Sequence, residues 1–290
     1  MVGLYQTLLS GLGAMRGDKS VAVHLESVVS PPSTPAGRFG RRTVALLTGL
    51  GAATSLAWAC LRALRHPQIY LPLTFAQVWE IGINSLPLVL LLAMITGGVT
   101  SEQTGYQYSS TLPPWIVGRV ITATVITELG PMATGLVLVG RVGARISAEL
   151  GAMSVTEQIQ ALRTLGRDPV AYLVLPRVLA SLVAVPALVA FADAGGMLAG
   201  WAVALVRVPV TTSEFASGAR AYFEPFVLYL SLLKGAVFGV SIAFIACAAG
   251  LRATGGAAGV GRATTVSVVV ATVVMMVWDL LLSRLLRVFG

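Results

Sequence analysis

Residues 128–176 read ELGPMATGLVLVGRVGARISAELGAMSVTEQIQALRTLGRDPVAYLVLP, and they carry the most information about the fold. This stretch begins in one apolar segment, passes through a part rich in Gly, Arg and Glu, and ends in another apolar segment. The part between them predicts a short helix at Ser154–Leu165, because its apolar residues recur at helical spacing. Gly166 can end that helix, Asp168 can cap the next one, and Pro169 suits a first helical position. A short capped helix between two membrane segments indicates a docking element.

The composition is that of an integral membrane protein. Of the 290 residues, 56% are hydrophobic and 11% are charged, whereas a soluble domain carries about 25% charged residues. Each segment in a bilayer must satisfy its own backbone hydrogen bonds, so long apolar runs predict helices. We therefore expect an all-α integral membrane protein. The two cysteines and two histidines show no pairing or ligand spacing, so we expect neither a disulfide nor a metal site.

Five apolar segments are long enough to cross about 30 Å of hydrocarbon, which takes about 20 residues. They lie at about residues 78–100, 115–140, 170–206, 225–249 and 264–288. A further apolar run at 43–61 has arginines on both flanks, which favours an interfacial helix over a sixth span. We place this helix within residues 38–66. The prolines at 31, 32 and 35 indicate that residues 1–37 are a linker-like extension.

Basic residues orient these segments. The net charge is +8, almost all from arginine, and fourteen of the Lys and Arg residues fall on the side of the N-terminal region and the docking helix, against four on the other. The positive-inside rule then places the docking helix and the N-terminus in the cytoplasm and the C-terminus outside. This rule also explains the basic excess without a nucleic-acid partner.

The same residues resemble the MlaE/YrbE family, the permease subunits of lipid-transporting ABC systems that work with MCE-domain proteins. The matching motifs are ELGP at 128–131, GRVGARISAELGAM at 140–153, TEQIQAL at 156–162, DP at 168–169 and PRVLA at 176–180. A second block, Lys234–Cys247 with GVGRATTVSVV at 259–269, resembles the C-terminal part of the family. Because several motifs occur in the family's order, the resemblance is specific.

The resemblance implies an elbow helix at 38–66 and an MlaE-like transmembrane permease domain at 78–288, with a coupling helix at about 154–165. It implies a homodimer in the bacterial inner membrane that moves lipid, expected to be phospholipid, to an MCE-domain protein on the periplasmic side. ATP and Mg would bind a cytoplasmic ABC ATPase, so we expect no cofactor in this chain. We expect the ATPase to contact the apolar face and polar rim of the coupling helix, at Glu157, Ile159, Leu162 and Arg163.

No catalytic motif is evident in the sequence. The Gly-rich segments at 11–20 and 259–264 lack the strand-to-helix context of a phosphate loop. Neither GxSxG nor HExxH occurs, and the carboxylates of Glu128, Asp193 and Asp279 are too far apart in sequence to form a recognised catalytic pair. Two alternatives stay open, a secondary transporter and an intramembrane lipid-modifying enzyme, although no internal repeat supports the former.

Two ionisable residues predict a cavity with a polar floor. Glu128 lies near the middle of the second span, where a carboxylate costs about 2.5–3.5 kcal/mol, so it is either a packing residue or a functional one. Lys234 lies at a compatible depth in the fourth span and can reach Glu128 if the two helices are neighbours. Pro131 has no N–H, so it leaves the carbonyl of Thr127 without its helical donor. We expect lipid tails to lie against the first span, at Leu91, Met94 and Ile95.

Overall fold

The computed structural model describes residues 51, 54–65, 67–108, 113–223 and 225–289. The chain divides into two units, Met1–Ser55 and Leu56–Gly290, and the second contains the membrane helices. The predicted extension at 1–37 and most of the predicted interfacial helix at 38–66 lie outside the described residues. The described part of that helix, 54–63, is helical and buries Ala63 against the start of a later helix.

The described residues form helices and no strand, which confirms the all-α class. The helices are α1 (Pro67–Ile81), α2 (Leu86–Gln107), α3 (Trp115–Thr124), α4 (Gly130–Leu138), α5 (Ala144–Val155), α6 (Gln158–Thr164), α7 (Leu175–Arg207), α8 (Thr212–Tyr222), α9 (Pro225–Gly250) and α10 (Gly256–Phe289). A 3₁₀ turn, Ile83–Ser85, joins α1 to α2. Wider π-helical turns occur at Val125–Leu129, Val139–Gly143 and Val170–Val174.

Within the described part of the chain, five helical segments are long and apolar enough to cross a membrane. They are span 1 (Tyr70–Gln107), span 2 (Trp115–Val155), span 3 (Val170–Arg207), span 4 (Pro225–Gly250) and span 5 (Gly256–Leu285). Each predicted segment overlaps one of these spans. Span 2 is longer than predicted, because the motif at 140–153 continues the helix through a π-helical turn and forms no loop.

Successive spans run in opposite directions, so the segments that connect them lie at two opposite ends of the bundle. Contacts between spans occur at both ends. At the docking end, which carries residues 156–169 and 251–255, Ser154 donates to the carbonyl oxygens of Leu251 and Ala253 at 3.3 and 3.2 Å. At the far end, which carries residues 208–223, Arg207 of span 3 forms an ion pair with Glu102 of span 1 at 2.7 Å. Each end thus has its own contacts between spans.

The predicted coupling helix begins later than expected. Ser154 and Val155 belong to the end of α5, and the separate helix α6 covers only Gln158–Thr164. Between them Glu157 has φ 60°, in the left-handed region, and this residue interrupts the helix. The spacing of apolar residues does not signal such a break. The residue type does not signal it either, because Glu is a good helix former.

The predicted end of the coupling helix is confirmed. Gly166 has φ +71°, and the N–H of Arg167 donates to the carbonyl of Leu162 at 3.0 Å, as at many helix C-termini. The Asp168 carboxylate then accepts the N–H of Val170 at 2.9 Å and caps the next helix. The chain therefore enters span 3 at a fixed point.

Glycines let span 3 approach span 1 closely. A Cβ on Gly97 would collide with the backbone carbonyl of Gly196. A Cβ on the neighbouring Gly98 would meet only Val203 Cγ2, at 3.5 Å, which is an ordinary van der Waals contact. Span 3, the most buried of the five, is thus held against span 1 by direct backbone contact.

We expect Gly97→Ala to destabilise the bundle by about 1–3 kcal/mol, since overpacking forces the two backbones apart. Gly98→Ala is the matched control and should leave stability unchanged. Thermal unfolding in detergent, followed by size-exclusion chromatography of the remaining folded fraction, measures both. Equal midpoints for the two variants would show that spans 1 and 3 are not in backbone contact.

Candidate functional site

The ammonium of Lys234 is the centre of a polar cluster inside the bundle. The Lys234 side chain is 4% exposed and lies in span 4. Its Nζ contacts Glu128 Oε2 at 3.2 Å and the carbonyl oxygen of Thr127 at 2.6 Å, both in span 2. From span 5 it contacts Asp279 Oδ1 at 2.9 Å and Ser283 Oγ at 2.8 Å. Four acceptors thus surround a group with three protons to donate.

The backbone acceptor exists because of the local sequence of span 2. Pro131 has no N–H, so the carbonyl of Thr127 loses the donor that a regular helix would supply. Just before it the helix widens, and the N–H of Gly130 donates to the carbonyl of Val125 across a π-helical turn. Lys234 supplies the missing donor for Thr127. The freed carbonyl expected from the sequence is therefore present and occupied.

The structure brings the predicted residues Glu128 and Lys234 together, and it adds Asp279 and Ser283, which the sequence did not place there. Asp279 and Ser283 are four residues apart, so they share one face of a helix. This spacing was the available signal, but it does not reveal which other helix the face meets. Contact between spans 4 and 5 could be seen only in the fold.

Exposure differs across the cluster. The Lys234 side chain is 4% exposed and that of Asp279 is 18% exposed, whereas that of Glu128 is 42% exposed. Two carboxylates face one ammonium, so Glu128 keeps acceptor capacity towards its open side. A small pocket, lined in part by Thr127, Lys234 and Ser283, lies next to the cluster but does not include Glu128. The cluster is thus closed around the lysine and accessible at the glutamate.

A third carboxylate lies near this cluster. Asp193 of span 3 is buried, and its Oδ2 accepts a hydrogen bond from Ser231 at 2.7 Å, one helical turn before Lys234. Gly130, next to Pro131 in span 2, lies against Asp193, and a Cβ there would collide with the carboxylate. Span 4 therefore carries polar contacts on two sides at one level of the bundle.

The predicted lipid-facing residues of span 1 lie on its outer surface. The exposed fractions of Leu91, Met94 and Ile95 are 58%, 50% and 53%. Span 5 exposes a comparable apolar face, including Val269, Val273 and Leu280. Both surfaces are available to lipid or to another subunit.

One residue of the predicted ATPase contact is buried within this chain. Ile159 is only 7% exposed, so it packs within this chain and is not available to a partner. A helix of seven residues is too short to be stable alone, and its apolar side packs back on the end of span 2. Glu157 and Arg163 are exposed and Leu162 is half-buried. Leu165, 74% exposed, is the apolar residue that the docking end presents instead.

Comparison with known proteins agrees with the motifs. The family model described as Permease MlaE matches residues 74–285. A probable ABC transporter permease protein of Rickettsia felis is 34% identical over 250 residues, which cover 86% of this chain and 96% of that protein. A probable ABC transporter permease protein of Synechocystis sp. is 34% identical over 213 residues, which cover 73% and 81%.

A chloroplastic protein of Arabidopsis thaliana, Protein TRIGALACTOSYLDIACYLGLYCEROL 1, is 33% identical over 210 residues, which cover 72% of this chain and 60% of that protein. The family match includes the whole cluster around Lys234 and the docking end. The extent of this match and the identity to the relatives lead to one conclusion. This chain is an ABC transporter permease and belongs to the MlaE permease family.

Proposed function

We propose that this permease moves lipid, and specifically phospholipid, between a bacterial inner membrane and an MCE-type protein outside it. The observation that carries the proposal is the Lys234 cluster, a polar site with an accessible carboxylate among apolar helices. Family membership favours this function over a secondary transporter or an intramembrane enzyme. Catalysis of ATP hydrolysis is assigned to a partner subunit that holds ATP and Mg.

An amphiphilic substrate needs a polar site beside apolar surface, and both are present. Glu128 can accept hydrogen bonds from a polar headgroup, while Leu91, Met94 and Ile95 offer apolar contacts for acyl chains. The name of the Arabidopsis relative refers to a glycerolipid, which supports lipid as the substrate class. The alternative, a purely structural role for Glu128, predicts that its charge is dispensable.

We further propose that two copies form the transport path between them. Spans 1 and 5 are the least buried spans. In their apolar 18-residue stretches 22% and 17% of the residues are buried, against 56% for span 3. Their exposed apolar faces could enclose a cavity in a pair. An open side at Glu128 then faces the space between protomers.

The docking end is proposed to bind the ABC ATPase from the cytoplasm. Its exposed residues include Arg163, Leu165 and Arg167, around the left-handed Gly166. A compact apolar residue flanked by arginines suits a groove with an apolar floor and an acidic rim. An MCE-type partner would then meet the far end.

The cluster is tested by matched charge removal. We expect Glu128→Gln to lower lipid transport and lipid-stimulated ATPase activity about tenfold, the effect of losing one charged hydrogen bond to substrate. The variant should still fold, since Asp279 still pairs with Lys234. Lys234→Met should be more severe, costing about 3–5 kcal/mol of stability, because two carboxylates lose their buried partner.

Glu102→Gln is the control for this experiment, since it removes a carboxylate from an ion pair at the far end. Activity is measured in vesicles reconstituted with the ATPase. Wild-type activity of both Glu128→Gln and Lys234→Met would restrict the cluster to a packing role.

The docking surface is tested by a double variant, Arg163→Glu with Leu165→Asp. Both side chains are exposed, so the permease should remain folded while ATPase binding falls at least about tenfold, as expected for the loss of one or two interface anchors. Phe223→Asp, an exposed apolar residue at the far end, is the control. Co-purification from membranes measures the binding. Full retention of the ATPase by the double variant would place its contact elsewhere.

Orientation is tested with single cysteines at Thr164 and Ser213, both exposed and at opposite ends. An impermeant thiol reagent should label position 213 in intact spheroplasts and position 164 only after lysis. Cys60 and Cys247 are replaced first, although burial, aided by Asp168, raises the pKa of the Cys60 thiol to about 11 and slows its reaction. The reverse pattern would invert the proposed topology.

A further inference from the structure

A second polar site lies on span 2, at a different depth from the Lys234 cluster. A small pocket is formed where α1 meets the later part of span 2. It is lined by Gln77, Glu80, Ile81, Arg141, Val142, Arg145 and Ile146. Arg141 is thirteen residues beyond Glu128, about 20 Å farther along the helix towards the docking end. The two sites are therefore separate.

Arginines and apolar residues line this pocket together. Ile81 and Ile146 are buried and form an apolar floor. Arg141 and Arg145 are exposed and lie about one helical turn apart. Arg145 forms an ion pair with Glu80, whereas Arg141 has no hydrogen bond or ion pair with any residue that the structure describes. One guanidinium thus remains available for an anion.

The surroundings of Arg141 leave room for a ligand. Gly140 is exposed, and nothing lies within 4 Å of where its Cβ would be. Gln77 has a buried side-chain oxygen without a partner in the described part of the chain. Oxygen and nitrogen of an amide are exchanged by a half-turn of its terminal bond, so the same position can hold an N–H donor.

The pocket lies at the level of a lipid headgroup. Phe75 and Trp79 of α1 are 72% and 61% exposed, and a Trp ring favours the boundary between headgroups and hydrocarbon. Arg141 lies twenty-six residues, or about 39 Å, from the start of span 2 at Trp115, which exceeds the roughly 30 Å of hydrocarbon. The free guanidinium therefore meets the headgroup layer at the docking end.

We propose that this pocket binds the phosphate of an anionic phospholipid from the leaflet at the docking end. Guanidinium groups bind phosphate through paired hydrogen bonds, and the apolar residues below can contact the first part of the acyl chains. The site holds a lipid against the junction of spans 1 and 2. It does not rest on the proposed transport function, because the Lys234 cluster lies elsewhere.

The test uses the full chain purified in a neutral detergent, with binding measured by native mass spectrometry and by the shift in thermal midpoint. The probes are phosphatidylglycerol, diacylglycerol with the same acyl chains, and inorganic phosphate. We expect phosphatidylglycerol to bind, and Arg141→Gln to weaken it about tenfold by removing one charged hydrogen-bonding group. Glu80→Gln should strengthen binding, because it frees Arg145.

Arg163→Gln is the matched control, since it removes an exposed arginine at the same end but outside the pocket. Arg141→Gln should weaken phosphatidylglycerol binding by the same factor in a Glu128→Gln background, which separates this site from the transport proposal. Equal losses in Arg141→Gln and Arg163→Gln would reduce the effect to general charge attraction and overturn the site. Binding of inorganic phosphate as tight as that of phosphatidylglycerol, or equal binding of diacylglycerol, would overturn the assignment to a lipid phosphate.

If Arg141→Gln fails to fold, Glu80→Gln decides the matter by itself. Removing the carboxylate leaves both arginines in place and changes only the charge of the pocket. Unchanged or weaker phosphatidylglycerol binding by this variant would contradict the proposal.

Discussion

Burial of the Lys234 ammonium is the constraint on which the rest of the membrane bundle depends. An ammonium removed from water must be surrounded by acceptors. Here span 2 supplies the Glu128 carboxylate and the Thr127 backbone carbonyl, and span 5 supplies the Asp279 carboxylate. These contacts fix the rotation of three helices about their axes. Apolar packing between helices in lipid is weakly directional, so one buried lysine gives the bundle an arrangement that apolar side chains alone would not specify.

Much of the fold could be predicted from the sequence because membrane helices follow simple length rules. The five apolar segments, the stop at Gly166 and the cap at Asp168 each arise from local chemistry. The carbonyl freed by Pro131 is also local. The break at Glu157 was not predictable, since a left-handed glutamate has no spacing signal.

For the site, the sequence predicted only how deep each ionisable residue lies along its helix. Depth placed Glu128 and Lys234 at compatible levels, but neighbouring helices are a property of the fold, and so the contribution of Asp279 was missed. For the same reason the sequence could not show that Ile159 is buried within its own chain. Amphipathic spacing identifies an apolar face without identifying what covers it.

The two π-helical turns of span 2 have a consequence for how its surface is mapped. Each such turn contains one residue more than an α-helical turn and so shifts the following residues by about 100° around the axis. After Gly143, the accumulated offset from Trp115 is about 200°. A helical wheel drawn through span 2 as one regular helix would therefore assign its last residues to nearly the opposite face. Labelling or cross-linking sites beyond Gly143 have to be chosen with the angular count restarted there.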